Sequence, residues 1–466
     1  MPVSVVLRNR EVTRAGSVRR DARVAIFALC ALIAMAFILG GSSRDDVQSL
    51  IILRPLSALF VALGLATIGR EDLRRHRGAF AIFGLLIFVN VLQLLPLPAA
   101  IWTALPGREF LVQTTAVADL EEGWRPLSLV PFRTWNSLFA LMVPLAGLLL
   151  AAQCDRTSDL RPVLMLLVGL ACISAILGVL QTLAPAGSAL FFYQITNTGL
   201  AVGLFANRNH NAVFMASAIP AVAFLLYQEW KGNPGWTPRT AILFVPLVIL
   251  PPAILITGSR SGLFMLLVGA LSAPLFVGAR ALRSVLSGKA FWIPLITVAV
   301  LLLFIAAMFP VSTLRRMMEA DFVDLRLRIW PIVWQLWLQY FPAGTGFGTL
   351  PEVYWIAEPD SQISPKYVNH AHNDVLEILL EGGLAGAVLL LAAAALWIRE
   401  FVASFRKSGE ELMRARLGLL LTAMLALASV FDYPLRTPSL ALALVIATVL
   451  AKPYRRPEVR GAAAAD

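Results

Sequence analysis

The chain predicts an all-α polytopic membrane protein, and three observations lead there. Of its 466 residues 58% are hydrophobic and only 14% charged, whereas an ordinary soluble domain carries about 25% charged residues. The mean hydropathy is +0.76, and the apolar residues recur in blocks close to the ~20 residues that cross a bilayer. The basic residues gather on alternate connections between those blocks. A soluble enzyme is excluded, and the blocks leave little chain for a separate soluble domain, so residues 1–466 read as one membrane domain.

Taken in order, spans are predicted at 24–40, 50–69, 79–97, 134–152, 162–183, 211–227, 240–256, 262–278, 290–309, 373–398, 416–433 and 438–451, twelve in all. The first follows a basic stretch, as a secretion signal does. Its run VAIFALCALIAMAFILG is nevertheless long for a signal core, and no A-x-A-like site with a soluble domain follows, so it is read as an uncleaved span. An even number of crossings puts both ends in one compartment. The segments on that side (1–23, 70–77, 153–161, 228–239, 279–289, 399–416 and 452–466) hold 26 of the 39 lysines and arginines. By the positive-inside rule that side is cytoplasmic. The net charge of +11 is therefore mostly topology, and nucleic acid needs no place in the account. The three cysteines, Cys30, Cys154 and Cys172, fall in or beside spans without metal spacing or a disulfide frame.

The cytoplasmic connections are short and basic, whereas two outer loops are long. One covers about 98–133; the other, 310–372, is long enough to fold over the membrane face, and loops of that length are more often functional than filler. Within it Trp330, Trp334 and Trp337 recur at helical spacing. This stripe fits an interfacial aromatic belt, and it also fits the wall of a cavity for a sugar-lipid; the two are compatible.

Histidine is the side chain best suited to exchange a proton near neutral pH. His76 sits in the cytoplasmic run REDLRRHR and reads as solvated or lipid-facing, while His210, His370 and His372 all fall at span boundaries on the outer side. Arg208, Arg260, Arg326 and Arg328 stand beside span ends on that same side, against the positive-inside trend. Any one of them could snorkel or pair with a lipid phosphate. Several converging would form an anion site, because guanidinium forks match phosphate oxygens. Gly258 and Gly262 flank Arg260 and permit a tight turn and close backbone approach, though an ordinary hairpin would use them equally.

Residues 368–386, VNHAHNDVLEILLEGGLAG, are the most informative stretch. Asn373, Glu377 and Glu381 are spaced four apart, which places them on one face of the helix that follows His370 and His372. Carboxylates so near the lipid core face a protein interior or an aqueous cavity; they serve either packing, by neutralising arginines, or chemistry. The start of that helix also offers unpaired N–H groups and a positive dipole end where a diphosphate could rest, with His372 at its rim.

These pieces resemble the O-antigen ligase and polymerase family of bacterial envelope glycosyltransferases. The resemblance rests on GLFANRNHNA at 203–212, TGSRSG at 257–262, RLRIW at 326–330, PAGTGFG at 342–348, HAHNDVLEILLEGGLAG at 370–386 and DYPLRTP at 432–438. It covers about 200–440 as the family-like core, and residues 1–190 agree only in hydropathy. The resemblance implies a fold of the GT-C type, with twelve helices and a large periplasmic loop (310–372) between the ninth and tenth. It implies transfer of a glycan, with inversion, from an undecaprenyl diphosphate or similar polyprenyl carrier to an acceptor hydroxyl, either lipid A-core or another lipid-linked repeat. No metal or other cofactor is expected, since Asp321 and Asp324 are too few and too close to Arg326 to argue for one.

In that reaction the departing diphosphate gains negative charge, which fixed cations stabilise. By resemblance Arg260 is the first choice, Arg208 and Arg326 the next, and Arg328 a substitute for either. His372 is the favoured group to orient or deprotonate the acceptor hydroxyl, with His370 second and Glu377 as an orienter of either ring. His210, Asn373 and Glu381 complete the expected site. The chain departs from the ligase pattern in one respect: residues 199–206 read GLAVGLFA, and the cation sits inside the following motif as Arg208. The N-R-N-H variant favours polymerase over ligase. The implied location is the bacterial inner membrane, with cytoplasmic termini and a periplasmic site. The rival class is a transporter or flippase for polysaccharide or lipid-linked oligosaccharide. It would show charged residues near mid-membrane in corresponding halves, whereas here the ionisable residues gather at the outer rim.

Overall fold

A computed structural model describes residues 23–120, 123–154, 157–185, 187–232, 237–276, 322–363 and 367–452. Among these the architecture is helical, and the one sheet is a two-residue antiparallel pairing of β1 (Pro96–Leu97) with β2 (Arg125–Pro126). Eight helices are long and apolar enough to cross a membrane: α2 (Leu50–Thr67), α3 (Arg77–Leu94), α4 (Pro131–Ala151), α5 (Thr157–Leu183), α6 (Arg208–Gly232), α7 (Pro238–Ile256), α11 (Asp374–Ser404) and α12 (Gly409–Phe431). Three shorter apolar helices join them: α1 (Arg23–Leu39), α8 (Arg260–Leu275) and α13 (Pro438–Ala451). Each coincides with a predicted span, and the predicted span at 290–309 lies outside the described residues. Helices are the expected solution, since backbone groups in a bilayer find no water and must be satisfied within their own segment. Proline opens α4, α7 and α13, where its missing N–H costs nothing.

Helix α6 is the axis of the bundle. It is apolar on nearly every side and almost wholly buried against α5, α7, α8 and α12, as a helix without a polar face must be. Its contact with α8 is a small-residue one. A Cβ on Gly262 would stand 2.3 Å from the Ala212 Cβ, so glycine is what lets the two backbones close, bringing Arg260 at the start of α8 beside the start of α6. The second outer-loop element, α9 (Phe322–Tyr340), is amphipathic and lays Ile329, Val333, Leu336 and Tyr340 against α10 (Leu350–Ala357) and the first turns of α11.

Helix α11 is broken. Gly383 has φ +54 and ψ −133, values essentially reserved for glycine. The freed Leu384 N–H is taken by the Pro342 carbonyl at 2.9 Å, and the Thr345 and Gly346 amides bond the Leu380 and Glu381 carbonyls at 3.2 and 3.0 Å. The turn 342–348 therefore plugs the kink, which is the usual way an interrupted helix satisfies its backbone. Gln93 of α3 braces the same point, donating to the Glu381 carbonyl at 2.9 Å and accepting from Phe347 N–H at 2.9 Å. Arg133 of α4 binds both Asp45 and Glu352, tying the first loop to α10.

At the opposite end His76 corrects the sequence expectation. It is 3% exposed, neither solvated nor lipid-facing, and is pressed among Arg75, Arg414 and Lys452. Burial, then those like charges, hold its imidazole down to about 3.

Candidate active site

Three histidines from two distant segments converge on one ring. Tyr433, in the connection between α12 and α13, has the His370 ring centroid at 4.4 Å, His372 at 4.8 Å and His210 at 5.0 Å. His210 comes from the first turn of α6, whereas His370 and His372 precede α11. Two of the rings have carboxylate partners. His370 Nδ1 lies 2.9 Å from Glu377 Oε1, and His372 Nδ1 lies 3.4 Å from Asp432 Oδ1. An ionised carboxylate only accepts, so each Nδ1 donates, which leaves the Nε2 lone pair of a neutral ring as the acceptor. His210 differs: it is 1% exposed, and neither ring nitrogen has a hydrogen-bond partner. Its contribution is the edge it presents to Tyr433.

The two carboxylates are themselves held. Asp432 accepts from Asn209 Nδ2 at 2.8 Å and from the Tyr433 amide at 3.0 Å. Glu377 accepts from the Ala371 amide at 2.9 Å and meets Arg436 Nη2 at 3.2 Å. Arg436 also reaches Asp374 at 3.3 Å and Glu381 at 3.1 Å, so one guanidinium is shared among three carboxylates that are each 2% exposed or less. Burial would lower the Arg436 pKa, but Glu377, Glu381 and Asp374 outweigh it and hold the group more firmly protonated than usual. Burial likewise would raise the Asp432 carboxyl, but the His372 hydrogen bond and the charges of His210, His372 and Arg326 drive it well below the ordinary range. The Tyr433 hydroxyl is pushed up, by burial first and then by Asp432.

The cations lie at this same end. Arg208 opens α6, donates to the Thr257 carbonyl at 3.5 Å and stands within electrostatic reach of Arg260. Arg260 is exposed at the first position of α8, behind Ser259, whose hydroxyl caps the helix by accepting from Gly262 N–H at 3.0 Å. Arg326 on α9 is close enough for its charge to act on Asp432. Arg328 is exposed on the same helix.

Two expectations are corrected at the start of α11. The helix begins at Asp374, so Asn373 is its cap, with Oδ1 accepting from Leu376 N–H at 3.0 Å, and does not share the carboxylate face of Glu377 and Glu381. Two of the amides that were to receive a diphosphate are also occupied within the protein, Leu376 by that cap and Asp374 by the Asp432 carbonyl at 3.3 Å, so the helix start offers fewer donors than expected. Asn373 instead lines a groove of about 460 Å³ with Trp330, Pro331, Trp334, Leu376 and Leu379. Trp330 is fixed there by its Nε1–H bond to the Ala371 carbonyl at 3.0 Å, whereas Trp337 stacks edge-on to Trp334, outside the groove lining.

Residues 245–391 match the family described as O-Antigen ligase. Over this segment the chain is similar to that family. The O-antigen ligase segment carries Arg260, Arg326, Arg328, His370, His372, Glu377 and Glu381, while Arg208, His210, Asp432, Tyr433 and Arg436 lie outside it. The match bears out the resemblance to the ligase and polymerase family, and it supports a membrane glycosyltransferase of that type acting on lipid-linked glycans. No curated protein matches the chain. Sequence reasoning missed Asn209, Asp374, Asp432, Tyr433 and Arg436 as members of this candidate site. The signal was present, since DYPLRTP places an acid, a phenol and a guanidinium in a short link between two apolar spans.

Proposed function

We propose that the protein is an inverting glycosyltransferase that moves a glycan from a polyprenyl diphosphate carrier to an acceptor sugar hydroxyl, in O-antigen or exopolysaccharide assembly at the bacterial inner membrane. The observation that carries this reading is the meeting of three histidines and two fixed carboxylates around Tyr433, at the end of the bundle where Arg208 and Arg260 open neighbouring helices. His372 is the proton acceptor for the attacking hydroxyl. Its Nδ1–H is oriented by Asp432 and its Nε2 takes the proton, the division of labour seen wherever a carboxylate positions a basic imidazole. His372 also has φ +52, an uncommon backbone state for a residue with a Cβ, of the kind that persists at functional sites.

Breaking the anomeric bond leaves charge on the diphosphate, and Arg260 and Arg208 stabilise it, with Arg326 and Arg328 approaching from α9. Their mutual repulsion favours an anion between them. His370 is held by Glu377 and serves as the second imidazole of the site; Glu381 locks the α11 kink. The apolar groove between Trp330, Trp334 and Leu379 suits the first isoprene units of the carrier, with Asn373 at its polar end. Polymerase is favoured over ligase on the resemblance of the Asn207-Arg208-Asn209-His210 motif to variants associated with polymerisation.

The test is transfer by purified protein in detergent, given a lipid-diphosphate glycan and either a lipid-linked repeat or lipid A-core, with products separated on a gel. Arg260→Ala and His372→Ala are expected to abolish product. Parental rates in both variants would reject the assignment. Deletion in the host separates the two acceptors: single repeats accumulate if polymerisation is lost, and polymer stays on its carrier if ligation is lost.

A further inference from the structure

At the end opposite the histidine cluster, α3, α11, α12 and α13 bring their basic ends together. Helix α3 starts against α11 at Gly78, where a Cβ would stand 3.0 Å from Arg399 Nη2. Helices α12 and α13 close at Gly418, where a Cβ would stand 2.1 Å from the Ala451 nitrogen, and this brings Lys452 to the level of Arg414. His76 is buried where these ends meet, beside Arg75, Arg414 and Lys452. Arg75, Arg77 and Arg399 act on Lys452, which with Arg414 acts on Lys407 in the connection between α11 and α12. Six side-chain cations therefore share this corner with three carboxylates, Asp72, Glu400 and Glu411. Nearby Glu71 and Glu410 are matched by Arg74 and Lys231. Glu400 is bound by Arg399 at 2.7 Å, and Asp72 accepts from Gly69 N–H at 3.0 Å at the head of its own short helix. The half-buried ammonium groups of Lys407 and Lys452 make no ion pair or hydrogen bond among the described residues. Burial first, and then the neighbouring cations, lower both below the usual lysine range, although Glu400 acts on each and Glu411 on Lys407 in the other direction.

We infer that this corner holds the headgroup of a phospholipid carrying two phosphates, with Lys407 and Lys452 as their partners and an acyl chain along Ala395, Leu391 and Val388. Basic pockets between the ends of membrane-crossing helices are where such headgroups are bound, and two ammonium groups without a partner call for two negative charges. The stripe below them argues for a lipid over a soluble anion. Arg399, Ala395, Leu391 and Val388 recur at helical spacing on one face of α11, and all four are exposed, Leu391 to 70%. A free anion would use the charges alone, whereas an acyl chain also covers that face.

Binding here is independent of glycan transfer and is read without substrate, by native mass spectrometry of the full chain in neutral detergent loaded in turn with cardiolipin, phosphatidylglycerol or phosphatidylethanolamine. Cardiolipin is expected to survive delipidation that strips phosphatidylethanolamine, with phosphatidylglycerol between them. Lys407→Gln combined with Lys452→Gln is expected to lower cardiolipin occupancy by about tenfold or more, given about 1 kcal/mol for each basic residue at a membrane surface. Lys407→Arg combined with Lys452→Arg keeps the charge and should retain the lipid, which separates lost binding from lost folding. Arg74→Gln removes an exposed charge already matched by Glu71 and should leave occupancy as it was. Equal retention of the three lipids, unchanged cardiolipin in the glutamine pair, loss in the arginine pair, or a comparable loss in Arg74→Gln overturns the site. Release of cardiolipin by millimolar inorganic phosphate overturns the lipid in favour of a free anion.

Discussion

The two ends of the bundle use the same side chain in opposite electrostatic settings. At one end His370 and His372 each face a buried carboxylate and surround a phenol. At the other His76 is buried among Arg75, Arg414 and Lys452 and is kept neutral to about pH 3. The imidazole is identical; the partner decides whether it can receive a proton. Carboxylate-backed rings can gain charge during a reaction, whereas a ring enclosed by cations is a packing element.

Replacing the two kinds of histidine is the most direct way to break that contrast. His372→Ala should lower glycan transfer by about 10²–10⁴-fold, the usual contribution of a positioned acid or base, and His76→Ala should leave it within a factor of about two when corrected for folded protein. Equal losses would erase the distinction. Next in size is the cation that makes the carboxylate end tenable. Arg436→Met leaves Asp374, Glu377 and Glu381 without their guanidinium, and unfolding in detergent should show a loss of about 3–5 kcal/mol. If Glu381→Gln in the same background restores part of that loss, uncompensated charge is the cause.

Asp432→Asn keeps shape but removes the charge behind His372. The transfer rate should fall by about 1.5–3 kcal/mol, roughly tenfold to a hundredfold, the worth of a hydrogen bond to a charged group. The companion change Glu377→Gln should reshape the pH profile less if His370 is the secondary ring. The smallest effect belongs to His76. Its folded pKa lies below the unfolded value of 6.5, so its neutral form stabilises the fold fully above pH 6.5, and that stability is lost as pH falls toward about 3. Between pH 6.5 and 5 the loss reaches about 2 kcal/mol, visible as a falling melting temperature that His76→Leu should flatten.

The spans within the described residues, their order and the gathering of Arg208, Arg260, His210, His370 and His372 at one end were legible because hydropathy blocks and charge asymmetry are written along the chain. Asp432, Tyr433 and Arg436 were less so. They occupy a six-residue link with no period of its own, and their roles arise only when that link folds back onto residues some 60 positions earlier in α11. His76 was misread because REDLRRHR is polar on every side, and nothing local shows that α12 and the end of α13 close over it. Asn373 was misplaced by a single residue, since periodicity fixes a helical face but not which residue becomes the cap.

The interruption at Gly383 divides labour along α11. Because Leu384 gives its amide proton to Pro342, the turns that bear Glu377 and Glu381 are stitched to the extramembrane cap more than to the remainder of their own rod. Changes in the 342–348 turn can therefore shift the histidine-bearing end of α11 while leaving the part beyond Gly383 as it was.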